Sequence, residues 1–519
     1  MKSRASCIRR HMYGPPAEPA GFRYFGGWYD FIAANWPLSL TILGINTGYM
    51  MRNIVNYSTN NSIHNMIIPV VYGTYRLASV ECAYGLDYNN YWNMVYLVAE
   101  GECSGVAINT TRVNGVVVSS PNSTDPLQVW WGGTGQRKVY NMQHSTIYDS
   151  YANKPMYIGS SSGDGPSFSD IFAIWCLSKQ NNDTGDKSGD TNYPTLDITF
   201  IGRKIRTIQG WIDYQSDGVD DPDQWTSAPD PIEVAVDYCV NGKFGPRLDL
   251  SRIDLSSALL ASTYCKALVY RTDDGHETET VMRYTFNGCL DKDQNTEAQL
   301  ASILDNCNGY YIPNGRLLTF GIRKAESLAA VDAMVKLTDT GTNRNILRPE
   351  GKSSLVVENT DSIGDYINNV EVEFSDITVG YVSNTLHLYD EMQQTLASRV
   401  LNTDFTRAVN TEQISLPGTV TLDQAQRLGV LRLREEYLKR TKYTFQMSLK
   451  DSIALAPGDV RKLNSFGAGD GSNIRKIADN EYVRIWKIEE TDKFTATIEA
   501  SPHNNDYYDN EVGVVIPYL

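Results

Sequence analysis

Alternation of apolar and polar residues with a period of two is the feature that most restricts the fold of this chain. Its clearest example is residues 443–449, where an apolar set alternates with a polar set. The apolar residues are Tyr443, Phe445, Met447 and Leu449, and the polar ones are Thr444, Gln446 and Ser448. Successive side chains of a strand point to opposite faces of a sheet, so this run predicts a half-buried β-strand.

The same alternation recurs elsewhere in the second half of the chain. Val370, Val372 and Phe374 predict another strand. Residues 481–500 predict a closing hairpin whose first strand spans Tyr482 to Ile488 and whose turn lies near Thr491 and Asp492. Its second strand is predicted to place these residues on one face: Phe494, Ala496, Ile498 and Ala500.

Three helices carry sequence signals for their ends. Thr296 and Thr421 each begin a capping-box pattern, which predicts helices over about 296–307, ended by Gly309, and over about 421–439. A third helix is predicted from about Asp254 to Leu268. The residues predicted to face inward are Leu300, Ile303, Leu304 and Cys307 in the first, Ala425, Leu428, Leu431 and Leu438 in the second, and Ala258, Ala261, Cys265 and Leu268 in the third.

The chain has 519 residues, which is too long for one hydrophobic core, and its 32 Tyr and 40 Gly suit short strands joined by tight turns. We therefore predict a β-rich α+β fold with several domains and a few short amphipathic helices. Breaks near residues 60, 205 and 346 predict four parts. These are an arm at 1–60, a domain at 61–205 with a loop-rich insertion at about 116–193, an α+β domain at 206–345, and a domain at 346–519 with one long helix and the closing hairpin.

Charge and cysteine spacing exclude some classes of protein. The net charge of −15 repels nucleic-acid phosphates, which argues against a DNA reader but not against a channel through which DNA slides. The eight cysteines include no CxxC pair, so we expect them to be reduced and mostly buried. The apolar segment 36–51 is too short to span a bilayer. It is either an arm packed on a neighbouring subunit or an ordinary strand pair.

Patterns that could carry chemistry lack the context that the chemistry needs. Ser161 lies in a Gly-Ser-Ser-Ser-Gly segment like a nucleophile elbow, but Gly163-Asp164-Gly165-Pro166 follows where a helix is required. The glycines of 467–471 lack the dinucleotide-binding spacing, and none of the six histidines has a second one three or four residues away. We predict no catalytic, cofactor-binding or metal-binding residues, although a glycosidase carboxylate pair would not be visible in sequence.

The loop Asp217–Asp223 is acidic and could offer oxygen ligands to calcium. It lacks the alternating spacing and the distal Glu of an EF-hand. We therefore interpret it as a solvated turn.

Four groups of segments, in a fixed order, carry a family resemblance. Ile68–Thr74 precedes Tyr96–Glu102, as an "IP-hydrophobic-YG" strand precedes an "LAEGE" strand. The second group is Pro231–Tyr238 with Asn241–Gly245. The third is Arg283–Gly288 with the 296–307 helix, Gly309 and the 316–321 strand. The fourth is Asn369–Val372, Ala425–Leu428, Tyr443–Leu449 and Pro457–Val460. Together, over residues 66–508, they resemble the tail tip attachment and central hub proteins of lambda-like siphophages and their gene-transfer-agent relatives.

The motif residues of this resemblance are expected to be structural. They are Pro69, Tyr72, Gly73, Glu100, Gly101, Phe244, Gly245, Tyr284, Phe286, Asn287, Gly288, Gly309, Gln426, Arg427, Pro457, Gly458 and Asp459. Of these, Gly73, Gly288 and Gly458 suit turns that need positive φ.

The resemblance implies tube-like β-barrel hub domains in a homotrimer that closes the distal end of a tail tube. The implied partners are a distal tail protein, the C-terminus of a tape-measure protein, and receptor-binding or fibre proteins. DNA would pass through without specific binding, and no membrane insertion is implied. The protein would be made in the host bacterial cytoplasm and reside in the virion, where it would gate release of tape measure and DNA. Because lambda-like tip proteins continue beyond the closing hairpin, we expect another protein to recognise the receptor. The alternatives are a tail-associated cell-wall-degrading enzyme and a host-glycan-binding adhesin.

Overall fold

The computed structural model describes residues 69–508 with internal gaps. The gaps are 79, 87–90, 101–102, 107–111, 114–115, 118–127, 131–136, 142–147, 150–153, 156–170, 180–195, 272–278, 291–293, 315, 360–366, 391–393, 395–408, 467–475 and 492–493.

The described residues form two compact units. Unit 1 takes the residues up to Ile205, together with Trp225–Ala228 and Asn287–Gln294. Unit 2 takes Arg206–Gln224, Pro229–Phe286 and the residues from Asn295 onward. Each unit therefore contains more than one segment of the chain. The division into four domains stays a prediction.

Strands outnumber helices in the described chain. The strands are β1 Val71–Tyr72, β2 Thr74–Ala78, β3 Val80–Leu86, β4 Tyr91–Glu100, β5 Cys103–Val106, β6 Arg112–Val113, β7 Val116–Val117, β8 Gln128–Trp130, β9 Arg137–Asn141, β10 Tyr148–Asp149, β11 Lys154–Pro155, β12 Ile171–Lys179, β13 Leu196–Arg203, β14 Ile205–Arg206, β15 Trp225–Thr226, β16 Leu268–Tyr270, β17 Thr280–Met282, β18 Gly288–Cys289, β19 Gly309–Asn314, β20 Leu317–Ile322, β21 Leu337–Thr338, β22 Val356–Asn359, β23 Asn369–Asp376, β24 Val382–Tyr389, β25 Thr411–Leu416, β26 Thr441–Ser448, β27 Val460–Phe466, β28 Lys476–Thr491 and β29 Thr495–Pro502. The α-helices are α1 Ile208–Asp217, α2 Pro231–Val240, α3 Leu255–Lys266, α4 Thr296–Asp305, α5 Leu328–Ala333, α6 Leu422–Lys439 and α7 Leu449–Ser452. The chain is thus a mixed α+β, strand-rich protein with several helices, as predicted.

Unit 1 is built from antiparallel sheets. One five-stranded sheet has the order β3-β4-β12-β9-β8, and a second has the order β2-β13-β6-β7 with β5 also pairing with β13. The register of the second sheet places Phe200 opposite both Tyr75 and Val106. Because Phe200 is fully buried, the centre of β13 forms part of the unit's core.

Unit 2 contains a six-stranded sheet of order β21-β27-β28-β29-β26-β22. Its register places Phe445 opposite Ile498, and Tyr443 opposite Ala500. The alternating residues of these strands point to one face, where they form what we call the sheet core. Its buried members are Leu337, Ile346, Leu355, Tyr443, Phe445, Met447, Leu463, Val483, Ile485, Ala496, Ile498 and Ala500. The period-two prediction for β26 and for the closing hairpin is therefore confirmed in its core residues, but Leu449 lies beyond the strand and begins α7.

A three-stranded sheet of order β24-β23-β25 packs on the long helix α6. Val370, Val372 and Phe374 of β23 are buried, as their alternation predicts. Gly429 of α6 permits this packing, because a Cβ there would lie 2.5 Å from the Leu388 side chain and 2.6 Å from that of Val372. Helix α6 begins after Thr421, whose side chain accepts a hydrogen bond from the Gln424 amide, and ends at Lys439, so both predicted ends are confirmed.

Two helix ends differ from the prediction. Asn295, not Thr296, caps α4, because its side chain accepts the hydrogen bond from the Ala298 amide. Helix α3 ends at Lys266, so Leu268 begins a strand and is 67% exposed while Val269 is buried. The predicted inward position of Leu268 was wrong.

The closing hairpin and two glycines also differ from expectation. Phe494 lies in the turn before β29 with φ of 56° and is 83% exposed, so it is not on the inner face. Asn308, with φ of 53°, adopts the left-handed conformation after α4, and Gly309 begins β19. Gly288, in β18, pairs with Tyr72 of β1 and does not have the predicted positive φ. Gly73 and Gly458 do have the positive φ that was predicted.

Candidate functional site

In unit 1 the first motif residues surround the short buried strand β1. Tyr72 pairs with Gly288. The Pro69 carbonyl accepts a hydrogen bond from the Glu100 amide at 2.8 Å, and the Asn287 side chain accepts one from the Thr74 amide at 2.8 Å. Motif residues distant in sequence therefore meet here through backbone pairing. Gly101 lies outside the described residues.

A turn in unit 2 contains Phe244 and Gly245. The Asn241 side chain accepts hydrogen bonds from the amides of Lys243, at 2.8 Å, and Phe244, at 3.4 Å. A Cβ on Gly245 would lie 1.7 Å from the Tyr238 carbonyl oxygen, so no larger residue fits without movement of the backbone. This turn reverses the chain after α2.

A second group of motif residues in unit 2 lies against a buried hydrogen-bond network, which we call the polar junction. Its members are Thr285, Asn306, Thr419, Asp423, Gln424 and Arg427. The network joins the start of α6 to the segment 283–286 and to the end of α4.

Gln424 makes the largest share of these bonds. Its Oε1 accepts from the amide and the hydroxyl of Thr285, each at 3.2 Å, and its Nε2 donates to the Thr285 carbonyl at 3.0 Å. The same Nε2 also donates to the Asn306 carbonyl at 3.1 Å. One amide side chain thus satisfies backbone groups of two separate segments.

Asn306 is fully buried and serves a third segment. Its Oδ1 accepts from the Gly418 amide and the Thr419 hydroxyl, both at 3.0 Å, while its Nδ2 donates to the Ser302 carbonyl at 2.8 Å. Gly418 must be small, because a Cβ there would lie 2.3 Å from the Phe286 ring. The motif residue Phe286 is thereby held against this loop.

Arg427 and Asp423 add a buried ion pair one turn along α6. Arg427 Nη1 lies 2.7 Å from Asp423 Oδ2, and both side chains are at most 3% exposed. Arg427 Nη2 also donates to the Arg283 carbonyl at 2.8 Å. The neighbouring Tyr284 is fully buried, and this burial raises the pKa of its hydroxyl. Gln426, also a predicted motif residue, is half-buried on the same helix.

A third group of motif residues surrounds Tyr310. A Cβ on Gly458 would lie 2.2 Å from the Tyr310 hydroxyl, and one on Gly321 would lie 2.3 Å from the same ring. The Asp459 side chain pairs with Arg461 at 2.9 Å and accepts from the Ala456 amide at 3.1 Å, which closes the turn around Pro457. The motif glycines Gly309 and Gly458 lie, respectively, at the start of β19 and in this turn.

Arg484 stabilises the same region from the sheet. It is 1% exposed, and its guanidinium donates to the carbonyls of Gly458 at 2.9 Å and Lys324 at 2.8 Å. His503 Nδ1 lies 3.4 Å from Arg484 Nη2. Burial, aided by the charge of Arg484, lowers the pKa of His503 to about 4.

The acidic loop Asp217–Asp223 is a turn held by its own carboxylates. In the acidic loop, Asp217 accepts from the Val219 amide, Asp221 accepts from the Asp223 amide, and Asp220 pairs with Arg206, so these carboxylates shape the turn.

Within the described residues no group of His, Cys, Asp and Glu could hold a metal ion. Ser161 and residues 467–471 lie outside the described residues. Cys103, Cys239, Cys265, Cys289 and Cys307 are free thiols.

Within the part of the chain that the structure describes, no helix has the length and apolar character needed to cross a membrane.

Sequence reasoning missed Asn306, Gln424 and Arg484. Gln424 carried a signal, because it is the third residue after Thr421 in the capping pattern, but its side chain reaches other segments and does not return to the cap. Asn306 and Arg484 carried no periodic signal, since a polar residue in a helix end or a strand is usually exposed.

Part of this chain is similar to a known protein family, and most of it is similar to a solved structure. Residues 300–477 match the family described as "Putative phage tail protein". A chain of the "Virion of native gene transfer agent (GTA) particle" is similar at 14% identity and a TM-score of 0.51, with 86% of this chain and 87% of that chain covered.

Looser matches are the tail protein from Neisseria meningitidis MC58, at 9% identity and a TM-score of 0.30, and the prophage MuSo2 43 kDa tail protein from Shewanella oneidensis, at 9% identity and a TM-score of 0.26. They cover 85% of this chain, and 98% and 99% of those chains, respectively. A search of curated protein sequences found no match. Residues 300–477 are therefore similar to a family of phage tail proteins, and the chain shares the fold of a chain of the gene transfer agent particle.

Proposed function

We propose that this protein is a structural component of a phage-type tail and acts as the central hub at the distal end of the tail tube. The observation that carries the proposal is the family match over residues 300–477, together with a likeness of fold that covers 86% of the chain. The region of the family match contains most of the polar junction and much of the sheet core.

The packing of the motif residues supports a scaffold role. Tyr284, Phe286 and Arg427 are buried, and the polar junction satisfies backbone groups of three segments. Groups fixed in this way hold a rigid body together and leave its outer faces to contact other subunits. A rigid subunit suits a ring, in which each interface must be repeated with the same geometry.

The proposed hub is a homotrimer with tube-like β-barrel domains. It binds a distal tail protein on one side, the tape-measure C-terminus inside, and receptor-binding or fibre proteins outside. DNA passes through without specific binding, and the hub opens at adsorption to release tape measure and DNA. The motif residues act through structure, and the protein is not an enzyme in this proposal.

The decisive experiment is an electron-microscopy map of the intact particle that encodes this chain. We expect threefold density at the distal end of the tail tube that fits units 1 and 2. Density along the tube wall or at the capsid would refute the hub position. Native mass spectrometry of the purified 58.0 kDa chain should show a trimer. A monomer that binds host cells unaided would favour an adhesin.

A further inference from the structure

The start of helix α2 holds two fully buried carboxylates. Asp230 and Glu233 are 1% and 0% exposed. Asp230 Oδ1 accepts from the amides of Ile232, at 2.8 Å, and Glu233, at 3.1 Å, and Glu233 Oε2 accepts from the Asp230 amide at 3.2 Å. This reciprocal capping box fixes the two carboxyl groups side by side. We call them the carboxylate pair.

Helix α3 supplies the groups that face the pair. Ser262 Oγ lies 2.5 Å from Asp230 Oδ2. Lys266 Nζ lies 2.5 Å from Glu233 Oε1 and 3.8 Å from Asp230 Oδ2. The contact between α2 and α3 at this point therefore consists of a hydroxyl, one ammonium and two carboxyl groups.

The charges of this cluster do not balance when both acids are ionised. Lys266 supplies one positive charge and is 37% exposed, whereas the carboxylate pair then carries two negative charges away from water. Cys265, on the same face of α3, is uncharged because burial keeps the pKa of its thiol well above the usual value. Asp237, one turn further along α2, is also an acid. The Arg283 guanidinium lies over the Tyr264 ring at 4.4 Å.

A buried charge that lacks a partner is costly, and a carboxyl group avoids that cost by retaining its proton. We propose that Asp230 of the carboxylate pair holds its proton up to about neutral pH, and that loss of this proton weakens the packing of α2 on α3. This makes the contact between α2 and α3 a pH-sensitive point in unit 2. The inference does not depend on the proposed tail function.

The pKa of Asp230 supports this arrangement. Burial first, and then the charge of Glu233, raise it from 3.8 to about 7, against the lowering effects of Ser262 and Lys266. Between these two values the folded state holds a proton that the unfolded state has lost. Stability contributed by Asp230 is therefore complete at low pH, falls as the pH rises toward about 7, and is constant above it.

The test compares the wild type with Asp230→Asn by urea unfolding of the full chain across this pH range. Asparagine preserves the cap but carries no ionisable group. The ratio of the wild-type to the variant unfolding constant should rise by up to about tenfold per pH unit from about pH 5 to about pH 7, and then become constant.

A matched control is Asp249→Asn, at the exposed cap of the short 3₁₀ helix Leu250–Arg252. Hydrogen bonds from Ser251 lower the pKa of Asp249, so this ratio should not change over the same range. A flat ratio for Asp230→Asn, or an equal slope in the control, would overturn the proposal.

A second measurement covers the case in which Asp230→Asn does not fold. Infrared spectra of the wild type should show a carboxylic-acid C=O band that disappears as the pH passes neutrality. In Lys266→Met, which lacks the cation, the same band should persist to higher pH. Identical pH dependence of the band in the two proteins would contradict the carboxylate pair as its source.

Discussion

The polar junction and the sheet core lie in the same unit but are stabilised in different ways. The sheet core is a set of twelve buried residues, nearly all apolar, whose contribution grows with the apolar area removed from water. In the polar junction, Asn306 and Gln424 are buried amides whose bonds each replace a bond to water. An apolar core tolerates the exchange of one apolar residue for another of similar size. A buried hydrogen-bond network loses stability when one partner is removed, because the other partner then has no bond.

The largest loss of unfolding free energy is expected at the buried ion pair of the polar junction. Asp423→Ala leaves the Arg427 guanidinium, which is at most 3% exposed, without its carboxylate. Removal of one partner from a buried pair costs about 3–5 kcal/mol of unfolding free energy. Urea unfolding followed by circular dichroism measures this loss.

The double variant Asp423→Leu/Arg427→Met is the control for that measurement. It removes both charges together, so it should recover most of the lost stability. Equal losses in the single and the double variant would show that packing, and not the unpaired charge, causes the effect.

Acid should destabilise the region around the sheet through His503. Its pKa of about 4 lies below the ordinary value of 6.5, so the folded state binds fewer protons between these values. Stability from this residue is therefore present above about pH 6.5 and is lost as the pH falls to about 4. The loss should reach about 3 kcal/mol.

His503→Gln should remove this acid dependence, as measured by thermal unfolding at a series of pH values. The control is His387→Gln, whose side chain is 60% exposed beside Glu371. If His503→Gln retains the wild-type acid dependence, another group is responsible for it.

The amide of Gln424 tests the hydrogen bonds of the polar junction without any change of charge. Gln424→Leu removes the bonds that this side chain makes to the Thr285 amide and the Asn306 carbonyl, which should cost about 1–3 kcal/mol. Gln426→Leu, at a half-buried position two residues further along α6, should cost much less. Equal unfolding midpoints in urea for the two variants would contradict the role of the network.

The sequence predicted the sheet core better than the polar junction for a physical reason. Alternation in β26 and the cap at Thr421 are local signals, because neighbours in sequence determine them. The bond from Gln424 to the Asn306 carbonyl joins residues 118 positions apart, and no local pattern encodes it. Arg427 was identified only through the family resemblance.

Errors at element ends have a similar cause. Phe494 continues the apolar alternation of β29, but the tight turn before Thr495 takes it out of the strand and exposes it. Leu268 fits the helical spacing of α3, yet the helix has already ended at Lys266. Periodicity thus predicts which face a residue would take, and tertiary structure decides where the element stops.

The smallest effect is expected in the sheet core itself. Ile498 is fully buried opposite Phe445, and Ile498→Val removes one methylene group without leaving a polar atom unpaired. The expected cost is about 0.5–1.5 kcal/mol, with no change in the slope of urea unfolding. Thr497→Ser, on the opposite face of β29, removes a methyl group from a half-buried site and should cost less. A loss from Ile498→Val that equals the loss from Asp423→Ala would mean that the sheet core is as intolerant of small changes as the polar junction. The contrast between the two regions would then be wrong.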